Sequence, residues 1–277
     1  MLLGAITVIS AVAAAVISLC CGDFSTWSWL MLMAGSFAGT WLLLVLLAFG
    51  FLVLICGLVD MRKPQEHDSK FYRSVMYVYI EALISLVLVT IRTEGLEKTP
   101  RDGRFLLVCN HQHEADPGVL LHCFKKSQLA FISKRENDTM FVVNKMMHKT
   151  MCQLINREND REALKTILKC IQLLKEDEVS ICAFPEGGIK EVGKLAHFRS
   201  GMFKIAQKAN VPIVVCTLRN TAKIIPNLLK LKPTEVVLHL VDVIPAENLK
   251  GRSTVEIADQ VYEMMIRDLG EEFRPAE

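Results

Sequence analysis

Charge is almost missing from the front of this chain. Residues 1–59 contain no Lys, Arg or Glu, and Asp23 is the one ionisable acidic or basic side chain among them. A cleaved signal peptide needs a cation near its start, so that reading is disfavoured and a membrane anchor preferred. A C-x-x-C pair is also missing, although there are nine cysteines. An odd count, with several in apolar strand-like runs, fits reduced, buried thiols better than a disulfide framework. Neither sign of charge is in excess: 32 Lys and Arg stand against 30 Asp and Glu, for a net charge of +2. With no clustered basic stripe, nothing suggests a nucleic-acid partner. No G-x-S-x-G elbow supplies a nucleophilic serine, and no H-E-x-x-H supplies a zinc-binding helix. Internal repeats and low-complexity linkers are absent.

What is present at the front is hydrophobicity, which reaches 51% over the 277 residues. Residues 2–21 form an uncharged run of the length that a helix needs to cross the hydrocarbon core. Residues 22–29 are a short polar break with Trp27 and Trp29, which suit a membrane interface. Residues 30–59 are a second run, long enough to span with tilt. Together, 1–59 read as a transmembrane helical hairpin. Arg62, Lys63, Lys70 and Arg73 come after it, and the intervening loop has no cation. By the positive-inside tendency, the chain after Val59 faces the cytoplasm from a cell membrane. Residues 60–91 read as a basic linker and a membrane-associated helix over 75–91, half sunk in the membrane surface and packed on the next domain, with a third span as the alternative.

From Arg92 the hydrophobic period shortens. Strand-like runs occur at 105–109, 129–133, 152–155, 179–184, 211–218 and 236–243, with helical patterns between most of them. Asn159 with Glu162, and Ser253 with Glu256, have the spacing of helix N-caps and their partners. Residues 92–277 are thus expected to form an α/β domain, a mostly parallel sheet flanked by helices and preceded by the membrane-embedded hairpin. Ligands on such sheets sit beyond the carboxyl ends of the strands. Two stretches occupy that position, Asn110 to Asp116 and Pro185 to Gly188.

The first stretch offers His111 with Asp116 five residues on. A hydroxyl is a weak nucleophile until a base takes its proton, and imidazole supported by a carboxylate is suited to that work. The alternative is structural: Asp116 before Pro117 makes a good helix N-cap, leaving His111 an ordinary loop residue. His111-x-His113 also contains metal-ligand types, but the zinc hydrolases that use H-x-H continue with Asp and then His, where this chain has Ala115 and Asp116. The second stretch, Phe184-Pro185-Glu186-Gly187-Gly188-Ile189-Lys190, ends an apolar strand. Its glycines let backbone amides approach an anion, or it is a plain turn. Lys134, Arg135 and Arg157 stand at strand ends, where a phosphate would find partners.

Taken together these stretches resemble the 1-acylglycerol-3-phosphate (lysophosphatidic acid) acyltransferase family of glycerolipid acyltransferases. Asn110-His111-x(4)-Asp116 matches its N-H-x(4)-D signature. Lys134-Arg135-Glu136 and Ile155-Asn156-Arg157 resemble its second block, Phe184-Pro185-Glu186-Gly187 its F-P-E-G block, and Val211-Pro212-Ile213-Val214 its fourth. The resemblance implies acyl transfer from an acyl thioester, on coenzyme A or acyl carrier protein, to a lysophospholipid acceptor at a lipid bilayer, giving phosphatidic acid. It implies no metal or other cofactor. His111 and Asp116 would be catalytic, and Lys134, Arg157, Glu186, Gly187 and Lys190 would bind substrate. The chain departs from the family at Gly188-Ile189, where Thr-Arg is common, at Asn156, where Asp is usual, and at Asn137, where Leu is usual. Lys190 or Arg199 would then supply the missing cation. Glycerol 3-phosphate or another lysolipid as acceptor, or an inactive lipid-binding scaffold, are the alternative expectations.

Overall fold

The computed structural model describes residues 1–23, 27–156 and 158–275, in two units, Met1–Lys63 and Pro64–Glu277. The first unit holds α1 (Leu2–Cys21) and α2 (Ser28–Gly57), which pack on one another. Both are long and apolar enough to cross a membrane. The buried residues of α1 are Ile6, Ser10, Ala14 and Ser18, one every four positions. Three of them are small, and small residues at that spacing let a second helix approach closely. The helix α2 starts at Ser28, so Trp29 lies in the helix rather than in the expected break. Phe24, Ser25 and Thr26 of that break lie outside the described residues.

The second unit runs α3 (Lys70–Leu86), β1 (Val89–Glu94), β2 (Leu106–Cys109), α4 (Asp116–Cys123), β3 (Leu129–Lys134), α5 (Phe141–Lys149), β4 (Gln153–Ile155), α6 (Asp160–Lys175), β5 (Ser180–Ala183), α7 (Lys204–Ala209), β6 (Ile213–Arg219), α8 (Ile224–Leu228), β7 (Thr234–Ile244) and α9 (Thr254–Leu269). Among the described residues the sheet has seven strands in the order β1-β7-β6-β2-β5-β3-β4. Every pairing is parallel except β6 with β7.

One expectation is corrected here. The helix expected over 75–91 ends at Leu86, and β1 begins at Val89, so the expected boundary at 91/92 cuts through a strand. Leu88 adopts a left-handed φ of 55° that breaks the helix. The β-branched run Val89-Thr90-Ile91 then favours the pleated conformation. Arg73, counted among the cations that follow the apolar front, is buried: Nε donates to Asp68 Oδ2 at 2.6 Å, and the guanidinium also donates to the carbonyls of Leu129 and Thr150.

Strands β2, β5 and β6 are apolar along almost their whole length because helices cover both faces. Leu106, Val108, Ile181, Ile213 and Val215 point toward the side closed by α6, α7 and α9. Leu107, Cys109, Cys182, Val214 and Cys216 point toward the side closed by α3 and α4. Burial pushes the Cys109, Cys182 and Cys216 thiols well above their ordinary pKa, which keeps them protonated and unreactive. The parallel strands bring the ends of β2, β3, β5 and β6 to one edge. Because β7 runs backward against β6, pairing Val237 with Arg219, the beginnings of β7 and β1 reach that edge as well.

Candidate active site

Strand β2 leads straight into Asn110, which is fully buried. Its side chain donates from Nδ2 to the Leu218 carbonyl at 3.0 Å and accepts the Leu218 N–H on Oδ1 at 2.7 Å. This bridge extends the β2–β6 pairing by one residue and fixes where the next residue, His111, leaves the sheet.

Residues 111–116 form a tight turn closed on one carboxylate oxygen. Asp116 Oδ2 accepts the backbone N–H of Gln112 at 2.7 Å and of His113 at 2.9 Å, and it lies 2.8 Å from His111 Nδ1. Asp116 is fully buried, and no hydrogen bond to its Oδ1 is seen among the described residues. The carboxylate faces back into the turn, and α4 has no side-chain cap. The simple N-cap alternative for Asp116 is therefore set aside. A carboxylate only accepts, so this contact assigns the imidazole proton to Nδ1 and leaves Nε2 as the basic nitrogen. His113 plays a local part: its Nδ1 accepts the Ala115 N–H at 3.2 Å.

The second stretch meets the first directly. Glu186 Oε1 accepts the His111 N–H at 2.6 Å, and Oε2 accepts the Ala196 N–H at 2.8 Å. Burial pushes the Glu186 carboxyl up to about 7, against the pull of these two N–H donors and of His111; the nearby Asp116 carboxylate adds to the rise. The ring of Phe184 stacks on His111 with centroids 4.1 Å apart and planes 13° from parallel. Gln112 reaches across to accept the Gly193 N–H at 2.7 Å and to donate to the Lys194 carbonyl at 3.4 Å. Gln112 and Glu186 thus both tie the segment 187–199 to the histidine turn. Gly187 has φ of +72°, and a Cβ there would lie 2.8 Å from Arg199 Nε. Glycine at 187 is what lets the Arg199 side chain lie across the F-P-E-G turn, while the Arg199 N–H donates to the Pro185 carbonyl at 2.9 Å.

His111, Asp116, Glu186 and Gly187 are therefore brought together. Lys134 ends β3 and lies 3.8 Å from Glu114, on the outside of the histidine turn. Lys190 is exposed on the 187–199 segment. Arg157 lies outside the described residues. Arg135 is paired with Glu162 at 3.2 Å. Three contributors were not read from the residues: the Phe184 ring under the imidazole, the Asn110 bridge, and the Gln112 tether. All three lie inside the recognised blocks, but their partners stand far along the chain, and no local pattern reveals such pairings.

A family model described as acyltransferase matches residues 90–219. A probable 1-acyl-sn-glycerol-3-phosphate acyltransferase of Mycoplasma pneumoniae is 30% identical over 187 residues, covering 64% of this chain and 68% of that protein. A chloroplast 1-acyl-sn-glycerol-3-phosphate acyltransferase of Arabidopsis thaliana is 31% identical over 160 residues, covering 56% of this chain but 44% of its own length. The crystal structure of the 1-acyl-sn-glycerophosphate acyltransferase of Thermotoga maritima shares the fold, with a TM-score of 0.62 at 23% identity over 82% of this chain and 90% of that one.

Proposed function

Because the chain belongs to the acyltransferase family, we infer that it moves a fatty acyl group from an acyl thioester to the free hydroxyl of a 1-acylglycerol 3-phosphate, giving phosphatidic acid. The observation that carries this reading is the buried Asp116 oxygen 2.8 Å from His111 Nδ1. It holds the ring in the tautomer that a base needs. The acceptor hydroxyl passes its proton to His111 Nε2 as its oxygen attacks the thioester carbonyl. The tetrahedral intermediate collapses with cleavage of the C–S bond, and the sulfur takes the proton from Nε2. An ester and a free thiol leave. General-base help of this kind accelerates a step by about 10²- to 10⁴-fold.

Arg199, lying across Gly187, Lys134 at the end of β3 and Lys190 on the 187–199 segment are the cations proposed for the acceptor phosphate, with Arg157 as a further one. Arg199 takes the place of the arginine that Gly188-Ile189 lack. The α1–α2 hairpin is proposed to anchor the enzyme in a cell membrane. Arg62, Lys63 and Lys70 favour the cytoplasmic side for the second unit, and Arg73 drops out of that count.

The test is an acceptor panel. Full-length protein in detergent is given labelled acyl-coenzyme A or acyl carrier protein with 1-acylglycerol 3-phosphate, glycerol 3-phosphate or another lysolipid, beside His111→Ala. Turnover restricted to the first acceptor and lost in the variant supports the reading. Preference for another acceptor moves the substrate within the family. Lipid binding without turnover makes the protein a scaffold, and full activity in the variant removes His111 from the mechanism.

A further inference from the structure

The edge of the sheet that carries His111 also carries a set of leucines turned to solvent. Leu229 and Leu231, in the turn between α8 and β7, are 82% and 83% exposed, and Leu88, before β1, is 42% exposed. The two places are neighbours, since the Thr234 N–H donates to the Leu88 carbonyl at 2.9 Å. Leu83 and Leu86, at the end of α3, are 57% and 55% exposed. Burial normally hides such side chains, and exposed apolar groups brought together, as Leu88 and the Leu229–Leu231 turn are, mark an interaction surface. Leu231 and Leu88 both adopt left-handed backbone, with φ of 51° and 55°. Glycine or asparagine would hold these turns at lower cost, so folding does not account for leucine at either place.

The charge in the turn itself is of one sign, and the nearest carboxylate in sequence is Glu235, the second residue of β7. Residues 220–234 contain Lys223, Lys230 and Lys232 and no carboxylate, and residues 82–93 contain none either. The three lysines are exposed, and two of them alternate with the leucines in Leu229-Lys230-Leu231-Lys232. Apolar tips flanked by ammonium groups complement an interface where acyl chains lie beneath anionic headgroups.

We propose that the Leu229–Lys232 turn, with Leu88 beside it, is a bilayer-docking tip that inserts into an anionic leaflet, a membrane contact separate from the α1–α2 hairpin. The proposal is independent of the reaction inferred above. It gives the edge bearing His111 a fixed attitude to the lipid surface.

The test uses the full chain with Cys20 and Cys21 replaced by Ser, carrying an environment-sensitive dye at Leu231→Cys or, as control, at Val255→Cys. Val255 is an exposed apolar residue at the start of α9. The protein is reconstituted in vesicles of phosphatidylcholine and phosphatidylglycerol with brominated acyl chains. A blue shift and bromine quenching at 231 but not at 255, lost on changing Lys230 and Lys232 to Glu, is the expected result. Equal, water-like emission at the two positions overturns the proposal. So does a dye at 231 that is shielded in concentrated detergent solution and unquenched in vesicles, which assigns the turn to contact between copies. Leu231→Gly supplies a second readout. It should leave the melting temperature unchanged or raise it, while abolishing quenching of a dye at Leu229→Cys. A lowered melting temperature with quenching intact would make the leucine structural.

Discussion

At the residue scale the site depends on two buried carboxylates with different surroundings. Asp116 serves three donors with one oxygen, so the carbonyl oxygen of Asp116→Asn can keep those bonds. The variant nevertheless loses the charge that stabilises the imidazolium, and it buries an NH₂ without a partner among the described residues where Oδ1 stood. Turnover should fall by about 10³- to 10⁴-fold with little change in KM, measured by steady-state kinetics on the preferred acceptor. Glu186 bridges two backbone amides, and burial pushes its carboxyl from the ordinary 4.5 to about 7. A raised folded-state pKa contributes stability that is complete below about 4.5 and is lost as pH rises through 7, on the order of 3 kcal/mol across that window. Glu186→Gln should abolish this slope. It should also cost about 1–3 kcal/mol, because an amide NH₂ would then face a backbone N–H. Denaturant titrations of both proteins between pH 4.5 and 7.5 measure the two effects.

At the scale of elements, α3 shows how much was legible in the sequence and where legibility stopped. The alternation of strand-like and helical runs after Arg92 foretold the parallel sheet, because strands buried on both faces are apolar throughout. The juxtaposition of His111, Asp116 and Glu186 was legible because two short blocks stand at strand ends. The segment 60–91 was read as a helix packed on the next domain, but its end was not legible because the apolar run continues from the helix into a strand without a break in hydrophobicity. Part of it faces the sheet, where Ile80 and Ile84 pack on the core, and the rest ends in β1. Arg73 looked like one more surface cation, since its partners Asp68, Leu129 and Thr150 include two carbonyls more than fifty residues away. Removing one member of a buried pair leaves the other charge uncompensated. Arg73→Ala should therefore destabilise the second unit by about 3–5 kcal/mol, whereas Arg73→Met combined with Asp68→Leu should recover most of that loss. Thermal melts of the parent protein, the single variants and the double variant form the necessary cycle.

At the scale of the whole molecule, the apolar helices α1 and α2 and the cationic leucine tip differ in how they would respond to solvent. Two helices of spanning length hold by burial of apolar surface, which salt does not screen, while lysine contacts to anionic headgroups weaken within a Debye length. The full chain should stay with membranes through high-salt and alkaline carbonate washes, as read by immunoblotting of pellet and supernatant. Release by either wash would rule out a spanning hairpin. The Phe184 ring, 4.1 Å from the imidazole and nearly parallel to it, would give the inferred reaction a handedness. One face of His111 is covered and its Nδ1 edge is occupied, which leaves the Nε2 edge for an acceptor hydroxyl and the other face for the rest of the substrate. In the inferred reaction, a glycerol of mirror-image configuration, gripped by the same phosphate, would present its hydroxyl away from Nε2, so the fold itself would sort enantiomers.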